Sequence, residues 1–404
     1  MPDGGDVVVI GAGQAGLAVS HELSTRGEAH VVLERGRVAE TWRRRWDSFC
    51  LVTPNWTVRL PGGWYEGDDP DGFMGRDEVV AHLERYAAGA PVREGVEATA
   101  LRRANGGFAL ETTAGELAAR AVVVTTGAYQ RPHRPPAAAT LPPDLLARDA
   151  DDYRNPDALP AGAVLVVGSG QSGCQIAEEL YLAGRDTYLA CGRAPWSARY
   201  FGGRDLLWWV LETGFLDQTV DKLPSPEALL AANIQASGYG GGHDLHYRTL
   251  RALGVTLTGH FLGASGHTAR FADDLARSVA WGDARRGELK GLVERTCDAR
   301  GWEPPELPDP EPFVADGAPE ELGLERFGAV IFSTGYRPDY ARWIDVPGAF
   351  DERGFPLHGD GASTAAAGLY FAGVHFLRKR KSSLLVGVGE DATLVAESVV
   401  GTGD

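Results

Sequence analysis

Short unbroken apolar runs, each closed by a glycine turn, set the rhythm of this chain. Val7-Val8-Val9-Ile10 runs into Gly11-Ala12-Gly13-Gln14-Ala15-Gly16, and Val164-Leu165-Val166-Val167 runs into Gly168-Ser169-Gly170-Gln171-Ser172-Gly173. Behind each turn the apolar positions take up a helical spacing, Leu17 to Leu23 and Ile176 to Leu182. Further strands are predicted at Ala29 to Leu33 (ending in Glu34), Gly95 to Ala98 as an outer strand, and Ala121 to Thr125, which closes on Thr126-Gly127. Others are predicted at Asp186 to Ala190, Ala329 to Phe332 and Leu369 to Phe371, with a helix at the C-terminal end. Residues 238–242 form a glycine loop, and 303–319, with six prolines among acids, form an extended linker.

Strand, G-x-G-x-x-G and helix in that order is the pattern of a dinucleotide site. One glycine permits the tight turn, one lets the backbone approach a pyrophosphate, and one lets helix and strand pack closely. The free amides of the helix start then face the phosphates. Two copies, 157 residues apart, predict two bound dinucleotides. Glu34 stands 18 residues past Gly16, where a carboxylate accepts hydrogen bonds from an adenosine ribose. At the matching place in the second copy, the strand ends in Cys191-Gly192-Arg193, with Arg193 20 residues past Gly173. An acid there would repel a 2′-phosphate and an arginine pairs with it, which favours NADPH over NADH. The fold class is therefore α/β, with two Rossmann-like domains. Residues 1–154 begin the first domain and 326–404 complete it. Residues 155–325 form the second as an insertion, with a helical and loop excursion of its own.

Composition narrows the setting. The 404 residues are 44% apolar and 23% charged, ordinary values for a globular chain, and the net charge of −16 argues against nucleic acid or an anionic membrane as partner. No apolar run reaches membrane-spanning length and the first strand begins at about Asp6, so a cytoplasmic protein is expected. Cys50, Cys174, Cys191 and Cys297 lie far apart with no C-x-x-C, which predicts reduced thiols rather than a redox disulfide or a cysteine zinc site.

With these residues in view, the chain resembles the flavin-containing monooxygenase-like family over nearly its whole length. The resemblance rests also on Thr126-Gly127, on Phe332-Ser333-Thr334-Gly335-Tyr336 at the interdomain crossings, and on Thr41 to Asp47 leading to Leu51-Val52-Thr53-Pro54-Asn55-Trp56. It rests last on Leu385 to Ala392, similar to a helix start beside the flavin pyrimidine, where a helix N-terminus favours negative charge. The resemblance implies FAD on the first motif and NADPH on the second. The implied FAD side comprises Gly11, Gly13, Gln14, Ala15, Gly16, Glu34, Arg35, Trp42, Trp46, Thr53, Val96, Thr126, Gly127, Leu385 and Val386. Gly168, Ser169, Gly170, Gln171, Ser172, Gly173 and Arg193 would hold NADPH, with Thr334 and Gly335 at the crossing. The implied reaction is oxygenation of a small organic substrate by O2 through a flavin C4a-(hydro)peroxide, as N- or S-oxidation or Baeyer–Villiger insertion.

Two departures bear on that reaction. The family fingerprint F-x-G-x-x-x-H-x-x-x-(F/Y/W) aligns only with its end at Tyr153, placing Pro143, Leu145 and Asp149 where Phe, Gly and His belong. Val52 stands where typical members carry asparagine. Both changes favour the alternative of a flavin oxidoreductase without oxygen insertion, and a nucleotide sensor without turnover is a third reading. No residue stands out as general acid or base, so the catalytic residues are unassigned, and no metal is expected. His243 and His246 have one-turn spacing but lack a third ligand, which reads as a loop over the cleft. Trp208 and Trp209 read as core or as pocket lining. Arg378-Lys379-Arg380-Lys381 reads as a solvated face or as a contact to cofactor or anionic substrate. A homodimer stays open.

Overall fold

Four consecutive apolar residues without alternation need cover on both faces. In the computed structural model, which describes residues 6–401 apart from Pro224 and Ala231, the strand Val7–Ile10 is buried along its whole length. It pairs in parallel with His30–Glu34 on one side and Ala121–Val124 on the other. Val92–Glu94 and Leu369–Phe371 extend this parallel sheet outward. Helices Gln14–Thr25 and Val388–Gly401 cover one face, with Leu17, Leu23, Val395 and Val399 in the shared core. An antiparallel sheet covers the other face with Leu101, Phe108 and Leu110.

A second sheet repeats the plan. Its order is Leu146–Asp149, Phe327–Phe332, Ala163–Val167, Thr187–Ala190 and Thr256–Thr258, every pair parallel. Helix Gln171–Leu182 covers one face and the antiparallel strands Phe261–Ser265 and Thr268–Phe271 cover the other. Phe327–Phe332 thus stands beside the second glycine strand where Ala121–Val124 stands beside the first.

That placement corrects the sequence reading. Ala329 to Phe332 is expected in the C-terminal return, yet it lies in the second sheet, in register with Val164 to Val167. Leu146–Asp149, expected within the first domain, also joins the second sheet. An apolar strand suits either sheet, and only its neighbours' register decides between them. The outer strand expected at Gly95 to Ala98 is replaced by Val92–Glu94 and Ala98–Ala104 on either side of that stretch. The chain crosses between the sheets at Arg131–Pro132 and Tyr336–Arg337, which pair as a two-stranded ribbon. The predicted positions of the two glycine-motif helices hold, and 303–319 carries neither helix nor strand. The 26-residue helix Leu275–Arg300 is an addition. Among the described residues no helix is long and apolar enough to cross a membrane. The first five and last three residues of the expected domain spans lie outside the described residues.

Candidate functional site: two glycine turns facing one cavity

Both glycine turns open on a single cavity of about 2240 Å³. A drug-sized site occupies roughly 300–1,000 Å³, so this one has room for more than one extended ligand. The turns are built alike. Gly11 and Gly168 hold φ of +107° and +102°, a region open to glycine and costly for other residues. A Cβ on Gly16 would lie 1.8 Å from the Gly11 carbonyl oxygen, and one on Gly173 would lie 1.9 Å from that of Gly168. The middle glycines are different. A Cβ on Gly13 would meet nothing within 4 Å, and one on Gly170 only the Ala232 Cβ at 3.9 Å. Each middle glycine therefore leaves a cradle at a helix start, facing the cavity, which fits a pyrophosphate held by backbone amides.

The two turns are braced by different chemistry. The Glu34 carboxylate, 7% exposed, accepts the Ala12 N–H at 2.8 Å and the Gly36 N–H at 2.9 Å, and lines the cavity with its remaining acceptor capacity. That suits a ribose diol. In the second turn the Ser169 hydroxyl does the stapling, accepting the Gly192 N–H at 2.8 Å and lying 2.6 Å from the Tyr247 hydroxyl. No acid is needed there, and Arg193 takes the position, exposed and lining the cavity. Arg199, the other arginine near this strand end, is fully buried. Its guanidinium donates to the Val52 carbonyl and pairs with Asp205 at 2.7 Å, so it is not available to a phosphate.

The crossing ribbon ties the two halves of the site together. Gln130 donates to the Gly127 carbonyl and the Thr126 hydroxyl and accepts the Asp339 N–H. The Thr334 hydroxyl donates to the His133 carbonyl, and the His133 N–H to the Gly335 carbonyl. Asp149 grips Arg134 with both oxygens, at 2.7 and 3.0 Å, on the same crossing. At the first glycine turn, Gln14 accepts from the Trp42 indole at 2.9 Å and donates to the Ser383 carbonyl, linking the first helix start to the segment before the last helix.

Most of the residues expected at the cofactors line this cavity: Gly11, Gly13, Gln14, Ala15, Glu34, Arg35, Trp42, Thr53, Val96, Thr126 and Gly127 on one side. Gly168, Ser169, Gly170, Gln171, Ser172, Arg193, Thr334, Gly335, Leu385 and Val386 join them. Three do not. Gly16 and Gly173 are packing positions behind the turns, and Trp46 is 3% exposed in the core of the second half, edge-on to Phe49. Trp208 and Trp209 meet edge-to-face away from the cavity, which their neighbours Leu206, Leu207 and Val210 line instead. His246 caps helix Tyr247–Leu253 and packs at a tilt against Trp196, and burial pulls its imidazole down to about 4. His243 pairs with Glu178, whose carboxylate raises it. Residues that the sequence did not mark include Gln130, Arg285 and His375, all on the cavity wall. No local pattern distinguishes them from surface residues, because the crossings and the long helix bring them there.

A sequence profile of pyridine nucleotide-disulphide oxidoreductases matches residues 8–202. The chain is 31% identical over 402 residues, 98% of each chain, to an oxidoreductase of Geobacillus kaustophilus described as uncharacterized and CzcO-like. It is 27% identical to the indole-3-pyruvate monooxygenase YUCCA4 of Oryza sativa, over 97% of this chain and 87% of that one. Among solved structures, the flavin-containing monooxygenase from Stenotrophomonas maltophilia has the same fold, with a TM-score of 0.70, 19% identity and full coverage of both chains. The chain is a flavin-dependent oxidoreductase that takes FAD and a pyridine nucleotide, and it belongs to the same oxidoreductase family as the CzcO-like relative.

Proposed function

We propose that this protein is an NADPH-dependent flavin monooxygenase acting on a small organic substrate. The observation that carries the reading is that both glycine cradles face one cavity in which no pair of cysteines is available. Of the four thiols only Cys191 reaches the cavity wall, and all four are buried and unpaired. Burial holds the Cys191 thiol well above its ordinary range and pushes Cys50 up to about 11, so neither offers a thiolate at neutral pH. A dithiol of this chain as electron acceptor is therefore unsupported, which favours an acceptor that enters the cavity. The relatives named as monooxygenases support O2 as that acceptor.

Bound FAD would supply the two-electron chemistry that takes hydride from the nicotinamide and activates O2. The chain's own part is holding and shielding. The Gly13 and Gly170 cradles seat the two pyrophosphates, Glu34 the flavin-side ribose, and Arg193 the 2′-phosphate that separates NADPH from NADH. Leu206, Leu207, Val210, Leu229, Ile234 and Leu384 give the remaining wall an apolar lining that limits water at the reacting centre. We also propose that the two functional domains divide at the ribbon of 131–132 and 336–337, nearer the sheet edges than 154 and 326.

A flavin oxidoreductase without oxygen insertion is the second reading, and Asp149 favours it. The family's histidine at that place is replaced by a carboxylate spent on Arg134. Turnover of an amine, sulfide and carbonyl panel with NADPH under 18O2 separates the two. One 18O atom in a product supports the monooxygenase, and substrate-stimulated NADPH oxidation with unlabelled product refutes it.

A further inference from the structure

Four consecutive cations, Arg378-Lys379-Arg380-Lys381, lie between a strand of the first sheet and the last helix, and three of them are fully spoken for. Arg378 pairs with Asp360 and Asp391 at 2.9 Å each. Lys379 pairs with Asp217 at 2.8 Å and Glu390 at 2.9 Å, and Lys381 with the same two acids at 3.0 and 2.5 Å. Arg380 is different. Among the described residues it has no carboxylate partner, and its only side-chain hydrogen bond runs from Nη2 to the Gln218 amide oxygen at 2.8 Å. Its Nε is buried without an acceptor.

The guanidinium lies over two aromatic rings, 4.3 Å from the Phe215 centroid and 4.6 Å from that of Phe376. It lines the large cavity beside Leu216, Leu229 and Leu384. His375 lines the same wall, and burial lowers its imidazole to about 4, so it adds no charge at neutral pH and leaves Nδ1 unpaired. Burial brings Arg380 down to about 10, so it stays protonated. A desolvated cation without a counter-ion is costly, and a carboxylate docking on its planar fork removes that cost with two parallel charge-assisted bonds. The aromatic rings hold the fork in place beforehand.

We propose that Arg380 recognises the carboxylate of the substrate, which makes the substrate class a small organic acid with an apolar body. The proposal deepens the monooxygenase reading and rests on this wall being its substrate side. Among the described residues Arg380 makes no hydrogen bond or ion pair with either glycine cradle, and its guanidinium is held by Gln218, Phe215 and Phe376 instead.

The test is binding to the FAD-loaded protein and needs no turnover. Phenylacetate, 3-phenylpropionate and phenylpyruvate are titrated against 3-phenylpropionamide, following the flavin absorbance band and, independently, heat. The wild type should bind at least one acid tighter than the amide, and Arg380→Gln should erase the difference by weakening the acid roughly 10- to 150-fold. Arg380→Lys should recover part of it, with FAD content and melting temperature unchanged in both variants. Equal binding of acid and amide, no binding of any acid at millimolar concentration, or an intact preference in Arg380→Gln would overturn the proposal. Loss of FAD in Arg380→Lys as well as Arg380→Gln would also overturn it, by assigning the side chain to the flavin. An intact binding pattern with unlabelled product under 18O2 would sink the monooxygenase reading and leave the carboxylate site standing.

Discussion

Alanine at Gly13 and alanine at Gly16 add the same single carbon to the same loop and should have opposite consequences. At Gly16 the new Cβ would lie 1.8 Å from the Gly11 carbonyl oxygen, 2.7 Å from the Thr125 hydroxyl and 2.9 Å from the Gly11 carbonyl carbon. Two of these are backbone atoms of a turn held by Thr125, whose hydroxyl donates to the Ile10 carbonyl at 2.8 Å, so the loop cannot yield cheaply. Overpacking of this kind costs about 1–3 kcal/mol or more, with or without cofactor. At Gly13, φ −84° and ψ −173° suit alanine, and nothing lies within 4 Å of the added carbon. The apo protein should be unharmed or gain about 0.4–1 kcal/mol from a less flexible unfolded chain. The carbon instead fills the space where the pyrophosphate approaches. Losing one charge-assisted amide contact costs about 1.5–3 kcal/mol, so FAD affinity should fall by roughly 10- to 150-fold at least. Thermal melts of the apo proteins and FAD titration by flavin fluorescence separate the two effects. Gly170→Ala and Gly173→Ala should repeat the contrast, read out as the KM for NADPH. If Gly13→Ala binds FAD like the wild type, or melts as early as Gly16→Ala, the cradle has been misread.

Arg193→Ala should raise the KM for NADPH roughly 10- to 150-fold and leave that for NADH nearly unchanged, because only the former carries a 2′-phosphate. An unchanged ratio of the two would take the phosphate away from Arg193. Asp149→Ala frees Arg134 on the crossing between the sheets, so steady-state FAD content should hold while the rate of flavin reduction by NADPH falls. Stopped-flow reduction measures this, and loss of FAD instead would place Asp149 in the flavin site. His246 is neutral in the fold, with burial setting its value at about 4 against 6.5 when unfolded. Between those values the unfolded chain binds the extra proton, so stability should fall as pH drops from about 6.5 to 4, by up to about 3 kcal/mol. His246→Asn keeps a capping acceptor and should flatten that part of the denaturation profile, and an unaltered pH slope would assign it to other groups.

What the sequence determined by itself is local. A strand, a turn and a helix start interact over about ten residues, so the two glycine motifs, Glu34 and the cation at Arg193 could be read directly. Glu34 and Arg193 both line the cavity because each sits at a strand end that its own motif positions. Tertiary structure decided everything set by which strand lies beside which. Ala329 to Phe332 is as apolar as Ala121 to Val124, and only the parallel register with Val164 to Val167 puts it in the second sheet. Trp46 sits close in sequence to Trp42, yet one lines the cavity and the other packs in the second core. Helix Leu275–Arg300 has no clean apolar stripe, because Arg286 stands on its buried side, held there by Trp196 and the Pro308 carbonyl from distant segments. The cluster at 378–381 is the sharpest case. Four adjacent cations are equivalent in sequence, and the positions of Asp217, Asp360, Glu390 and Asp391 in the folded chain neutralise three and leave Arg380 without a carboxylate partner among the described residues. A charge's partner is a matter of distance in space, which adjacency along the chain does not encode.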